Sequence, residues 1–159
     1  MNEAGLIELH SIAHERLDLL MVHIATLPDE LWHRPISAFG HSSVWEQLVH
    51  IIGCEEGWIH DLQKIPFAEW NAEDCSTMTA LLAWNERIRG KTRAYLEALT
   101  EEQLNIIPAE PRPGWTGEPR TPAFIVLHVI THMFHHKGQV AAMLRILGYP
   151  PPDTDLQRG

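Results

Sequence analysis

The chain has 159 residues, 45% of them apolar and 21% charged, which suffices for one domain with a sizeable core and argues against global disorder. Its net charge is −9, and its 12 Lys and Arg are scattered, so a nucleic-acid partner is excluded, because phosphate binding needs clustered cations. No apolar stretch is long enough to span a bilayer, so no membrane partner is expected either.

Residues 1–9 hold two acids and no base and do not read as a secretory signal. Two cysteines, Cys54 and Cys75, make no disulfide framework, and a reducing cytoplasm is the simplest compartment. The anomaly is histidine: eleven, against 12 Lys and Arg together. That excess directs attention to metal binding or proton transfer.

In chain order, Leu6, Leu9, Ala13, Leu17, Leu20 and Ile24 recur every three or four residues, predicting a helix from Glu3 to Leu27 that Pro28 stops. A short helical turn over 29–33 follows, ended by Pro35. The second long helix is predicted from Ser43, where Ser-Val-Trp-Glu matches a capping box, to Gln63. The third spans Thr77 to Ala98 on an apolar stripe that includes Leu81, Ile88 and Tyr95. Thr100-Glu-Glu-Gln then signals one more short capped turn.

Residues 108–119 hold four prolines and two glycines and form a loop. This loop, with Trp115, is expected to shape a substrate pocket. Thr121-Pro122 gives the fourth long helix an N-cap and a first-position proline, and Gly148 ends it. Its roughly 26 residues reach about 39 Å at 1.5 Å each. An extended, proline-rich tail follows. The expectation is an all-α, up-down-type four-helix bundle forming a single domain over residues 1–159.

The fourth helix carries His128, His132, His135 and His136. His128, His132 and His136 are spaced by four and project from one face, and two histidines at that spacing can grip one metal ion. Ile125, Val129 and Val140 flank the stripe and turn it toward the bundle interior. Unpartnered imidazoles in an apolar core are costly. His50 sits mid-helix among large apolar residues and supplies a third imidazole from a second helix. From spacing alone, the pair could be His128 with His132 or His132 with His136. Three protein nitrogens leave coordination positions open, the pattern of catalytic sites.

Three stretches, AHERLDLLMVHIATLPDELWHRP (13–35), SSVWEQLVHIIGCEEGWIHDL (42–62) and LHVITHMFHHKGQVAAMLRILGYPPPDTDL (127–156), resemble the DinB family of four-helix-bundle metalloproteins. The last is the most specific, with its His-x-x-x-His pair, a Gly-Gln and a Pro-Pro-Asp tail. The resemblance implies metal ligands at His50, His132 and His136, and a homodimer. It also implies one divalent transition metal per chain, Zn²⁺ or Ni²⁺ first, with Fe²⁺ and Mn²⁺ as alternatives. The chain departs from the family at Lys137, where arginine is usual, losing a bidentate fork.

The implied chemistry ranks as follows: a metal-dependent thiol S-transferase-like enzyme acting on a small molecule with a low-molecular-weight thiol, then a metal-dependent hydrolase, then a non-catalytic metal-binding stress protein. No catalytic residue beyond the metal ligands is identified. Among the neighbours, Cys54 reads as a small buried filler one turn beyond His50. Glu46 is shared between the capping box and a contact to His50, and His128 between packing and proton transfer. His10, His14, His23, His33, His41 and His60 are expected in solvated or capping roles. Trp45, Trp58 and Trp84 read as core or interface residues.

Overall fold

The computed structural model of the chain describes residues 2–66, 76–108 and 118–156. Among these there are six helices and no strand: α1 (Glu3–Ile24), α2 (Asp29–Trp32), α3 (Val44–Gln63), α4 (Met78–Glu97), α5 (Glu101–Asn105) and α6 (Pro122–Leu147). The chain is an all-α four-helix bundle, α1, α3, α4 and α6, with two short helices beside it.

The helix ends follow from local chemistry. Asn2 caps α1 by accepting from the Gly5 amide at 2.8 Å. The α-helix stops at Ile24, three residues before the expected end, and Thr26 and Leu27 close tighter turns onto His23 and Ile24. Proline at position 28 disfavours α geometry in the residue before it, which accounts for the early stop. The capping box of α3 is present in full: Ser43 Oγ accepts from the Glu46 amide at 3.1 Å, and Glu46 Oε2 accepts from the Ser43 amide at 3.2 Å. Thr100 and Gln103 make a second box on α5. Thr121 caps α6, Pro122 opens it, and Gly148 ends it at φ 89°, a left-handed value that glycine adopts without steric cost.

The core is apolar and drawn from all four long helices, with Leu17, Leu20, Leu48, Ile59, Leu81 and Val140 fully buried. Helix α3 packs mainly on α4 and α6, and α1 packs mainly on those same two helices. The pairs α1/α3 and α4/α6 are therefore the diagonals of the bundle. The longer connections link diagonal partners, so α1 and α3 meet across its centre.

That centre is polar at one level. Glu55 of α3 is 1% exposed, and His10 and His14 of α1 are 2% and 0% exposed. His10 Nε2 donates to one carboxylate oxygen at 2.7 Å and His14 Nε2 to the other at 2.9 Å. Thr92 of α4 adds a hydroxyl donor at 2.6 Å. Burial pushes the Glu55 carboxyl up, but His14 and His10 outweigh it and hold the group well below the usual carboxylate range. The expectation of solvated roles for His10 and His14 is thus corrected. Across the diagonal, a carboxylate that sequence spacing could not pair with them supplies their acceptor.

Candidate metal centre

A second histidine cluster lies between α3 and α6, nearer the surface. His50 of α3 and His132 of α6 face each other with Nε2 atoms 3.2 Å apart. Two donors on one tetrahedral ion, each about 2.0–2.1 Å from it, are about 3.3 Å apart. The separation therefore suits two ligands of one ion. His136 stands beside both, its ring centroid 4.5 Å from that of His50 and 4.3 Å from that of His132. The donor atoms of His50, Cys54 and His132 all lie within 4.8 Å of one another.

His136 is oriented from behind. Its Nδ1 lies 2.6 Å from Gln47 Oε1, and an amide oxygen only accepts, so Nδ1 carries the proton and Nε2 keeps a free lone pair. The Gln47 amide is itself fixed: its Nε2 donates to the His41 carbonyl and to Gln139 Oε1, each at 2.8 Å. Gln139 Nε2 in turn reaches His135 Nε2 at 2.7 Å. Gln47 is fully buried and sits one turn before His50, which is the only sequence signal that could have singled it out.

The environment keeps these imidazoles neutral. Burial, then repulsion among neighbouring imidazoles, lowers His132 to about 4. The same causes lower His136 to about 4. Burial and then His41 lower His50 as well. Neutral imidazoles at ordinary pH are what a metal ion requires of its ligands.

Other expected residues distribute as follows. His128 is exposed, edge-on to Trp58 at 5.4 Å and 5.8 Å from the His132 ring, so it stands outside the cluster. The stripe does not face the interior uniformly: it runs from exposed His128 through half-buried His132 to buried His136. His41, expected to be solvated, is instead stacked on His50 with centroids 3.9 Å apart. Glu46 is committed to its cap, accepting from Ser42 and Ser43. His60 is buried beside Glu56 and Lys91 rather than solvated, and His33 is exposed against Trp45. Trp84 is buried and donates to Glu56 Oε2 at 2.7 Å. Lys137 is buried, with Nζ 3.0 Å from the Thr154 carbonyl and 3.9 Å from the Phe134 ring centroid, so it holds the tail. Trp115, most of the proline-rich loop and Cys75 lie outside the described residues.

The two clusters differ in access. In the His10–His14–Glu55 group the Nε2 atoms are spent on the carboxylate and nothing is exposed. His50, Cys54 and His132 are each partly open to solvent, and the two Nε2 atoms point at one another. A donor pair of this kind, with a third imidazole held in a fixed tautomer beside it, is a fitting cradle for a divalent ion.

Comparison with known proteins identifies the family and the fold. The family model of the DinB family matches residues 1–159. The chain belongs to the DinB family. Among solved structures, the bundle is similar to a DinB-family protein from Exiguobacterium sibiricum, with a TM-score of 0.67 and 18% identity over 98% of this chain and 97% of that one. It is also similar to a conserved protein from Enterococcus faecalis, with a TM-score of 0.68 and 18% identity over 91% of this chain and 96% of that one. A DinB-like protein from Bacillus subtilis gives a TM-score of 0.57 at 19% identity over 98% of both chains. At these identities the likeness concerns the fold. Comparison with curated proteins yields no match.

Proposed function

We propose that this DinB-family chain holds one divalent transition-metal ion through His50, His132 and His136, and that the centre serves a thiol S-transferase-like reaction on a small molecule. The observation that carries the metal reading is the 3.2 Å approach of His50 and His132 Nε2 across two helices. In the metal-free chain one Nε2–H bridges the pair as a hydrogen bond; with both rings protonated at Nδ1 instead, the two Nε2 lone pairs are free for one ion.

When bound, the ion supplies Lewis acidity, which lowers the pKa of a coordinated thiol or water. The chain's own residues do the rest. Gln47 holds His136 with its Nε2 free, and Gln139 and the His41 carbonyl hold Gln47. His41 covers one face of His50. The partial exposure of His50 and His132 leaves a small molecule a route to the centre, which favours an enzyme over a sealed structural site. The thiol preference rests on the family resemblance, and hydrolysis of an ester or amide is the alternative that the same centre would support. Zn²⁺ or Ni²⁺ is the proposed occupant, because imidazole suits both.

Among the described residues no helix is long and apolar enough to cross a membrane. A cytoplasmic homodimer completes the proposal.

Elemental analysis of the purified chain, beside His50→Ala, His132→Ala and His136→Ala, tests the centre. One equivalent of metal in the parent, lost in each folded variant, is expected. Metal retained in the triple variant, or absent after reconstitution, overturns the reading. With the metal known, hydrolysis that proceeds without any thiol dependence overturns the transferase assignment alone.

A further inference from the structure

The groove between α3 and α6 continues beyond the histidine cluster. His50 faces His132, while Trp58, further along α3, faces His128, further back along α6, so the helices run antiparallel and their rings form a row. The steps along it are 5.0 Å from His50 to His132, 5.8 Å to His128 and 5.4 Å to Trp58, centroid to centroid. A helical side chain leans toward the N-terminus of its helix, which carries the Trp58 indole back toward His50. The indole meets His128 at 81°, a perpendicular contact that covers at most one indole face. Gly57 lies two turns beyond His50 on the same face of α3, and a Cβ there would meet nothing within 4 Å. Glycine is a poor helix former and no close packing requires it at this position, so its effect is to keep the groove wide where a side chain would narrow it.

From this arrangement we infer that the outer groove is a subsite for an uncharged aromatic group, carried by the thiol that the metal centre binds, with Trp58 and His128 setting the preference. The inference rests on the centre proposed above and names the class of thiol it takes. Charge on the two helices favours a ring over an anion. Helix α3 contains no Lys or Arg. Helix α6 contains only Lys137, which holds the tail, and Arg145, in its last turn. Asp61, on the same face of α3 as His50, carries the sign that a carboxylate avoids. These helices therefore offer a carboxylate no charged donor at the groove, whereas Trp58 and His128 offer a flat ligand the offset and edge-on contacts that aromatic rings prefer. Exposure rises outward, from buried His136 through half-buried His132 to exposed His128, so a ligand reaches the centre sulfur first and leaves its ring beside Trp58.

Thiol titration of the full chain loaded with Co²⁺ tests this, with 2-phenylethanethiol as the aromatic probe and 2-mercaptoethanol and mercaptosuccinate as the aliphatic and anionic ones. On binding, each probe loses its S–H proton to solvent as its sulfur joins the cobalt, with no change of oxidation state. A near-ultraviolet thiolate-to-cobalt charge-transfer band reports the step. The aromatic probe is expected to bind about tenfold more tightly than either of the others. In Trp58→Leu that preference falls to about twofold, and Trp58→Phe keeps most of it. Gly57→Leu puts a good helix former at the position and fills the groove. It is expected to remove the preference while cobalt content and 2-mercaptoethanol affinity stay as in the parent. Equal binding of the aromatic and aliphatic probes by the parent, tighter binding of mercaptosuccinate, or a preference undiminished in both Trp58→Leu and Gly57→Leu overturns the subsite and leaves the metal centre standing. Cobalt bound with no band from any probe overturns the thiol reading and the subsite together. A parent chain that binds no cobalt overturns the metal centre as well.

Discussion

The Nδ1 atom of His136 on α6 donates to Oε1 of Gln47 on α3 across 2.6 Å, and this one bond sets which nitrogen of His136 faces the cluster. A ligand imidazole whose outer N–H is held by an acceptor has its tautomer and ring orientation chosen in advance. Gln47→Ala removes that acceptor while leaving all three histidines. Metal affinity is expected to fall about ten- to hundredfold, read by competition with a chromophoric chelator. Gln47→Glu keeps an acceptor toward His136 but sets its second oxygen against the His41 carbonyl and Gln139 Oε1, so it should recover only part of the loss. Unchanged affinity in the Ala variant would mean that the bond does not orient a ligand.

The Glu55 network makes a prediction about stability rather than metal. A buried carboxylate accepting from His10, His14 and Thr92 cannot be truncated without stranding three buried donors. Glu55→Leu is expected to lower unfolding stability by about 3 kcal/mol or more, since each buried donor left without its acceptor costs about 1–3 kcal/mol. Replacing His10, His14 and Glu55 together by apolar residues should cost less than Glu55→Leu alone, because only the Thr92 hydroxyl is then left without its acceptor. Urea denaturation read by circular dichroism measures both, provided the slope of the transition is unchanged. If the triple replacement proved the more damaging, the network would be contributing net stability beyond satisfying its own members.

Much of this was legible in the sequence, and for local reasons. Caps, prolines and the 3.6-residue period act within a few positions, so the helices from Ser43 and from Thr121-Pro122 could be delimited closely. The i, i+4 pair His132–His136 is also a local pattern. What spacing could not supply is which helices lie on a diagonal. That relation decides that His10 and His14 meet Glu55 and that Gln47 meets His136, contacts separated by 41 residues or more. Nor could it bring His41, in the segment before α3, over the face of His50.

Acid should destabilise the metal-free protein in a defined window. His132 and His136 are lowered to about 4 in the folded chain, against an ordinary value of about 6.5 when unfolded. Between these values the unfolded chain binds protons at both positions and the folded chain does not. Stability therefore rises with pH through that window and falls as pH drops from 6.5 toward 4. Glu55 acts in the same direction at the acid end: its folded carboxyl stays ionised below the pH at which the unfolded one takes up a proton, so its contribution is present above about pH 4.5 and declines below it. A pH series of urea midpoints on the metal-free protein should thus decline from about pH 6.5 downward, and His132→Ala combined with His136→Ala should flatten the upper part of that decline. Equal slopes in parent and double variant between pH 6.5 and 4.5 would show that these two imidazoles titrate normally.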